Sequence, residues 1–305
     1  MNKYTMRQSA LLILAAIVWG ISFVAQSEGM NYIGTFTFNG IRCTMGAVVL
    51  IPVILIIRKM EQRKPGADPD SLYIKVFNKP LIIGSVICGF ILYAAVNLQT
   101  VALETCTSGK AGFMTAMYII IVPILGLFIR KRVGIKLWIG VALAMLGMYL
   151  LCITDNSGLQ KEDYYLLGCS FIFSLHILTV DYFSPKTNGV AFSSLQFFIC
   201  GLLSLISMVI WETPDMRSIY ACIGALLYSG IMSSGVGYTL QIVGQKGLNP
   251  TVASLCMSLE SVFSLLAGLV ILGELMSLRE TIGCVLMFIA IVLAQLPDKK
   301  QVATS

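Results

Sequence analysis

The sequence predicts an all-α integral membrane protein with ten transmembrane helices, arranged as two inverted repeats of five helices. The first observation is composition: 57% of the 305 residues are hydrophobic and only 12% are charged. A chain with so few charged residues cannot assemble a water-soluble surface. The second observation is a series of long apolar runs, each approaching the roughly 20 residues that a helix needs to cross the hydrocarbon layer. The third is that the second half of the chain repeats the sequence pattern of the first.

Ten apolar runs are the predicted spans, joined mostly by short loops. They are Leu11–Gln26, Phe36–Ile57, Leu81–Thr100, Ala111–Ile129, Ile135–Ile153, Tyr165–Tyr182, Phe192–Trp211, Tyr220–Val243, Thr251–Leu272 and Leu278–Leu296. Asn249 followed by Pro250 predicts a capped start for the ninth span, because Asn is a favoured N-cap and Pro suits the first helical position.

The internal repeat covers residues 9–154 and 164–297. Its later helices align at a constant offset of 142 residues, so that Gln99 falls on Gln241 and Tyr118 on Glu260. Its earlier helices align at an offset of 154, which places Arg42 on Gln196. Because five spans per repeat is an odd number, the two copies must face opposite sides of the membrane. Inverted repeats of this kind are typical of secondary transporters.

The distribution of Lys and Arg predicts the orientation. If the N-terminus is cytoplasmic, most basic residues fall on that side. The opposite side keeps only Lys110, Lys161, Arg217 and Arg279. The loop after span four carries Arg130–Arg132, whereas the equivalent loop after span nine reads Gly273-Glu274-Leu275. The positive-inside rule therefore predicts a multi-pass protein of the cell membrane with both termini cytoplasmic.

Composition and motifs also limit the partners. The nine cysteines are scattered and form no CxxC or Cys/His ligand spacing, so we expect no metal and no cofactor. The net charge of +6 follows the loops and forms no basic domain, which argues against nucleic acid as a partner. We expect the lipid bilayer and a small-molecule substrate as partners, with no obligate protein partner.

Ionisable residues at membrane depth are the main candidates for function, because a charge at the bilayer centre costs at least roughly 2.5 kcal/mol. Arg42 is either a cavity cation that binds a carboxylate or phosphate, or a structural group that caps helix carbonyls or reaches the interface. Glu260 is either a proton carrier and counter-charge for a substrate amine, or a neutral group bonded to nearby backbone or serines. His176 is either a proton relay or a satisfied core group.

Further candidates belong to the same predicted cavity. Lys110 opens span four, where it is either an anion-binding group at the outer mouth or an interfacial anchor. Repeat-related polar residues either line a shared wall of the cavity or form hydrogen bonds between helices, and the aromatic residues either line the cavity or lie at the membrane interface. The predicted substrate-binding set comprises Trp19, Arg42, Asn97, Gln99, Lys110, Tyr118, Gln241 and Glu260. Since Tyr118 and Glu260 are equivalent in the repeat, we expect them to face each other across the pseudo-two-fold axis.

Several short motifs occur in a fixed order along the chain. They are the Trp19-Gly20 pair, the stretch Phe38–Arg42, the run ALETCTSGKAGF from Ala102, Pro123 in span four, and Glu260-Ser261-Val262 followed by Gly273-Glu274. In these the chain resembles the drug/metabolite transporter superfamily, with two EamA-type repeats. It departs from the usual family pattern at Ser261, where a proline is common, and at Arg132, where the first repeat often has glutamate.

The resemblance implies a fold of ten helices arranged as a basket around a central cavity. It also implies that the protein exports amino acids or other small metabolites without ATP. We therefore expect a non-enzymatic secondary transporter that works by alternating access. The alternative is a polytopic membrane enzyme, such as an intramembrane hydrolase with a Ser234/His176 dyad. Such a dyad requires the histidine within hydrogen-bond reach of the serine.

Overall fold

The computed structural model describes residues 3–62, 78–106, 108–129, 133–152, 160–267, 269–270 and 277–295, and these form helices joined by short turns. The α-helices are α1 Lys3–Met30, α2 Thr35–Gln62, α3 Lys79–Leu103, α4 Ser108–Thr115, α5 Tyr118–Phe128, α6 Ile135–Cys152, α7 Lys161–Phe183, α8 Gly189–Trp211, α9 Met216–Ala221, α10 Ile223–Leu227, α11 Tyr238–Gln245, α12 Pro250–Met257, α13 Glu260–Ala267 and α14 Leu278–Gln295. A 3₁₀ turn covers Ser184–Lys186, and a π-helix, the π segment below, covers Tyr228–Gly237. The predicted all-α class is confirmed.

Asparagine caps start three of the helices, α3, α8 and α12. The side chain of Asn78 accepts a hydrogen bond from the backbone N–H of Leu81, and Asn188 caps α8 in the same way. Asn249 accepts from the backbone N–H of Thr251, and Pro250 is the first residue of α12. The predicted start of the ninth span is therefore confirmed. Gly247, just before it, has φ +71°, a conformation that favours glycine.

Equivalent helices of the two repeats pack against each other in opposite directions. The Phe36 and Trp211 rings, at the start of α2 and the end of α8, have centroids 5.3 Å apart. Further along α2, the Ser194 hydroxyl near the start of α8 donates to the Ala47 carbonyl at 2.9 Å. Helices α6 and α14 form a second contact between equivalent elements. Contacts between non-equivalent helices are also duplicated. Helix α3 of the first repeat packs on α7 of the second, and α11 of the second repeat packs on α1 of the first.

The fourth and ninth spans are each interrupted at the same point of the repeat. Helix α4 ends at Thr115 and α5 begins at Tyr118, while α12 ends at Met257 and α13 begins at Glu260. These boundaries differ by the same 142 residues as the sequence alignment. Helix α4 packs against α13 and α5 against α12, so the two interrupted helices are antiparallel and cross near their breaks. The residues that follow the breaks are therefore brought together at the crossing.

The eighth span differs from its prediction. Sequence indicates one helix over Tyr220–Val243, but the structure has α9, α10, the π segment and α11 in its place. Glycine and serine in the π segment allow close approach to neighbouring helices: a Cβ at Gly237 would lie 2.6 Å from Nε1 of Trp19. The apolar composition alone gave no sign of this widening, since a regular helix accommodates the same residues. π-Helical turns occur frequently at functional sites.

Among the described residues, seven helices are long and apolar enough to cross a membrane, and Ile135–Leu150 and Thr281–Leu293 are shorter apolar helices. Their surface is apolar, with Phe128 81% and Val209 76% exposed, whereas Arg42 is only 2% exposed. Exposed apolar side chains and a buried charged side chain are what a protein surrounded by lipid requires. The predicted charge change between Arg130–Arg132 and Gly273–Leu275 lies outside the described residues.

Candidate functional site

A polar cavity lies where the two repeats meet. Fourteen residues line it: Trp19, Phe23, Gln26, Arg42, Gln99, Thr115, Tyr118, Phe173, Ile177, Ser233, Tyr238, Gln241, Met257 and Glu260. The centres of water molecules can occupy about 40 Å³ of the cavity. This is more than one water requires, so the cavity in this conformation admits a few waters or a small ligand group.

Ten of the fourteen lining residues are five repeat-related pairs. At the offset of 154 residues these are Trp19 with Phe173 and Phe23 with Ile177; at the offset of 142 they are Gln99 with Gln241, Thr115 with Met257 and Tyr118 with Glu260. A cavity with equivalent residues on both sides lies on the pseudo-two-fold axis that relates the repeats. Four lining residues have no equivalent there: Gln26, Arg42, Ser233 and Tyr238.

Tyr118 and Glu260 meet at the centre of this cavity. The Tyr118 hydroxyl donates to Oε1 of Glu260 at 3.0 Å, and both side chains are buried. The predicted contact across the axis is therefore present. The partner of Glu260 is the equivalent residue of the other repeat rather than nearby backbone or serine, so the carboxyl group is held at the interface between the repeats.

Arg42 supplies a cation to the same cavity. Its Nε donates to Oδ1 of Asn39 at 2.7 Å, and its guanidinium lies 5.9 Å from the centroid of the Phe38 ring. Within the described part of the chain, no ion pair joins Arg42 to a carboxylate. Arg42 lines the cavity, and the planar fork of donors at its two Nη groups is suited to binding a carboxylate or phosphate.

Aromatic rings and unpartnered polar atoms complete the wall. The Trp19 and Tyr238 rings have centroids 4.8 Å apart, and Phe197 packs edge-on against Tyr238 behind them. Nε1 of Trp19, Oε1 of Gln26 and Oε1 of Gln241 are buried without a hydrogen-bond partner among the described residues. Buried polar groups normally have partners. The cavity therefore offers one donor and two acceptors that water or a ligand would satisfy.

Three of the predicted site residues lie elsewhere. Asn97 bonds to Asn39 and Ser204 behind the cavity wall rather than lining it. Nε2 of His176 lies 3.2 Å from Oε1 of Gln196, and the imidazole packs edge-on against Tyr238. The third, Lys110, lies in an ion-pair cluster away from the cavity. The remaining six predicted residues, Trp19, Arg42, Gln99, Tyr118, Gln241 and Glu260, are brought together.

Lys110 is bound by the carboxylates at the start of α7. Its Nζ lies 2.8 Å from Asp163 and 3.9 Å from Glu162, and its side chain is 30% exposed. Cys106 lies beside this cluster, where burial raises the pKa of its thiol to about 11 against the opposing effect of Lys110. These contacts join α4 to α7, which agrees with an anchoring role.

The dyad required by the hydrolase alternative is not formed in this structure. The Ser234 hydroxyl has no hydrogen-bond partner within the described ranges, and the histidine bonds to Gln196. A nucleophilic serine needs its base within hydrogen-bond distance. Close packing explains Ser234, because a Cβ at Gly46 would lie 2.6 Å from the Ser234 Cβ.

Comparison with known sequences decides the family. A family profile described as the EamA-like transporter family matches residues 7–153 and again residues 160–296. The chain belongs to the EamA-like transporter family. This EamA protein therefore contains two copies of one domain, and it is a multi-pass membrane protein of a transporter family.

Relatives of this EamA protein agree with that assignment. An uncharacterized transporter of Archaeoglobus fulgidus is 26% identical over 286 residues, covering 93% of this chain and 84% of the relative. The uncharacterized transporter YoaV of Bacillus subtilis is 22% identical, covering 90% of this chain and 92% of the relative. A crystal structure at 16% identity superimposes with a TM-score of 0.76, covering 98% of this chain and 99% of the other. That likeness shows a shared fold.

Sequence reasoning missed several lining residues of the EamA protein. Phe173 and Ile177 could have been found, because each occupies the repeat position of an aromatic residue in α1. Gln26 and Ser233 could not, since neither has a polar equivalent in the other repeat. Ser233 lies in the π segment, which no local sequence pattern predicts.

Proposed function

We propose that this EamA protein is a secondary transporter that exports small metabolites bearing an anionic group, amino acids among them, across the cell membrane. One observation carries the proposal: the polar cavity between the repeats contains both Arg42 and Glu260. Ionisable residues at membrane depth commonly mark a substrate or ion pathway. A cavity on the axis between repeats is also where such carriers bind their substrates.

The arrangement of helices supports alternating access. Equivalent helices run antiparallel across the contact, as expected for ten spans in two inverted repeats. Two interrupted helices cross at the cavity. Because the breaks are equivalent, each repeat has a point at the same position where its helix can bend. In an inverted pair, one repeat can adopt the conformation of the other, which closes one side of the cavity while opening the opposite side.

Contacts at the two ends of the bundle suggest where these changes occur. At the end that holds the start of α1, Nε2 of Gln8 donates to the carbonyls of Val243 and Lys246, at 2.8 and 2.9 Å. At the opposite end, the Lys110 ion pairs join α4 to α7. We infer that these contacts form and break in alternation, with the first end cytoplasmic.

Each charged group of the cavity has a chemical role in the proposal. Arg42 binds the substrate anion through its Nη groups. Glu260 either faces the substrate amine as a carboxylate or takes up a proton as the substrate leaves. Tyr118 holds Glu260 in place through the 3.0 Å hydrogen bond. Proton exchange at Glu260 would then couple transport to the proton gradient.

Reconstitution into proteoliposomes tests the proposal. Purified protein is assayed with radiolabelled L-amino acids, one at a time, in counterflow. We expect saturable, protein-dependent flux of at least one amino acid, and loss of that flux in Arg42→Gln. Absence of flux for the whole panel, together with hydrolysis of a membrane substrate, would overturn the proposal.

A further inference from the structure

We propose that Asn39, supported by Asn97, is a positioning residue that sets the orientation of Arg42 and thereby the preference for anionic substrates. This inference rests on the proposed function of the cavity. It concerns a side chain that lies one helical turn from the cavity wall and bonds to the cation on that wall.

A chain of hydrogen bonds leads from α3 to the cavity. Nδ2 of Asn97 donates to the Tyr93 carbonyl at 2.7 Å and to the Ser204 hydroxyl at 3.2 Å, which fixes the amide plane. Oδ1 of Asn97 then accepts from Nδ2 of Asn39 at 2.9 Å. Oδ1 of Asn39 accepts from Nε of Arg42 at 2.7 Å. Thr100 also contacts the Asn39 amide, with its hydroxyl 3.2 Å from Nδ2 and 3.4 Å from Oδ1. Asn97 makes the shorter of these side-chain contacts and connects Asn39 to α3 and Ser204.

The direction of these bonds determines which way the Arg42 fork points. A bond at Nε fixes the plane of the guanidinium and leaves the edge formed by the two Nη groups available to a second acceptor. Asn39 is fully buried, so water cannot replace it as the acceptor. Bonds inside a low-dielectric interior are also stronger and reinforce one another along a chain. The relay thus holds a flexible side chain in one binding orientation.

The second repeat lacks this relay. The equivalents of Arg42, Asn39 and Asn97 are Gln196, Ser193 and Thr239. The Ser193 hydroxyl is buried without a partner among the described residues, and the Thr239 hydroxyl bonds back to the Gly235 carbonyl of its own helix at 2.7 Å. If the asparagines served only the packing of the shared fold, the equivalent positions would need them as well. The relay occurs only beside the cation.

The test measures selectivity rather than activity alone. Each L-amino acid and its α-carboxamide are titrated against purified protein in nanodiscs, and the ratio of the two affinities reports the contribution of the substrate anion. In Asn39→Ala we expect this ratio to fall by about tenfold, because a hydrogen bond to a charged group is lost. Affinity for the carboxamide should stay within about twofold, which a general packing defect would not allow.

Matched variants separate positioning from folding. Ser193→Ala removes the equivalent buried hydroxyl of the second repeat and should leave the ratio unchanged. Asn97→Ala retains the bond between Asn39 and Arg42 and should give a smaller fall. The double variant Asn39→Ala/Asn97→Ala should be no worse than Asn39→Ala, since Asn97 acts through Asn39. If Asn39→Ala does not fold, Asn97→Ala and its additivity with Arg42→Gln carry the test.

The outcomes distinguish this inference from the proposed function. A fall of the ratio in Arg42→Gln and Asn39→Ala, but not in Ser193→Ala, supports the positioning role. A fall in Arg42→Gln alone overturns the role of Asn39 and leaves the anion site standing. An unchanged ratio in Arg42→Gln overturns both. Additive losses in Asn97→Ala and Arg42→Gln contradict the relay, because they would show that Asn97 acts independently of the cation.

Discussion

The first and second repeats have the same backbone design but present different chemistry to the cavity. Both interrupt their fourth helix at the same register, and both contribute a glutamine to the wall at one equivalent position, Gln99 and Gln241. At the residue after the break, however, the first repeat has a tyrosine and the second a glutamate. Arg42 of the first repeat likewise corresponds to an uncharged glutamine, Gln196.

This difference separates what the fold requires from what the substrate requires. Features present in both repeats, such as the helix breaks and the antiparallel contacts, belong to the alternating mechanism. Features present in one repeat, such as Arg42 with its supporting asparagines, have no structural counterpart and are therefore assigned to recognition. The π segment provides Ser233 to the cavity in the second repeat, whereas the equivalent residues 86–95 of the first repeat lie in the regular helix α3.

Replacing Arg42 by the residue type of its equivalent in the second repeat should have the largest effect on transport. Arg42→Gln places glutamine at both equivalent positions and removes the only guanidinium among the residues that line the cavity. Loss of a buried charged partner costs about 2 to 5 kcal/mol, so flux of an anionic substrate should fall by roughly 30-fold or more. Counterflow in proteoliposomes measures the change. Flux within twofold of the wild type would contradict a role in binding.

Replacing the carboxyl group should remove coupling but retain exchange. Glu260→Gln keeps a hydrogen-bond acceptor for Tyr118 but cannot exchange protons. One proton per substrate and a gradient of one pH unit allow roughly tenfold accumulation. The variant should lose this accumulation and retain counterflow, as measured with an imposed pH gradient. Accumulation that still follows the gradient would exclude Glu260 as the proton carrier.

Removing the hydrogen bond between Tyr118 and Glu260 should have a moderate effect on transport. Tyr118→Phe deletes the hydroxyl that donates to Glu260, at a cost of about 1 kcal/mol or about fivefold in transport rate. Tyr93→Phe is the matched control, because the Tyr93 hydroxyl bonds to Ser207 outside the cavity. Equal losses in the two variants would show that the contact between the repeats has no special role.

Lys110 should have the smallest effect, because its partners are carboxylates at the edge of the bundle rather than substrate. Lys110 is 30% exposed and Asp163 only 5%, so we expect the upper end of the range for surface ion pairs, about 1 kcal/mol, and a change in flux of about fivefold or less in Lys110→Met. Asp163→Asn should give a similar change. A loss as large as that of Arg42→Gln, seen in Lys110→Met alone, would return Lys110 to the binding site.

Sequence was most informative where the repeat itself carried the signal. The equivalence of Tyr118 and Glu260 predicted their contact, because a pseudo-two-fold axis brings equivalent residues of crossing helices together. It was least informative where the outcome depended on distant partners. From sequence, Lys110 could be a cation of the cavity. Its ion-pair partner Asp163 lies 2.8 Å away in the structure but more than fifty residues along the chain, so the sequence did not indicate the pair. For Asn97 the sequence allowed both a cavity position and a hydrogen bond between helices, and only the position of Asn39 on another helix decides for the second.

Binding of the substrate in the cavity between the repeats is the central claim, and fluorescence of Trp19 tests it most directly. The chain has three tryptophans, so Trp138→Phe/Trp211→Phe leaves Trp19 on the cavity wall as the sole reporter. Titration with a transported amino acid should change its emission saturably, at the concentration that half-saturates transport, and Arg42→Gln should abolish the change. Unchanged emission at saturating substrate, in protein that still transports, would contradict the account.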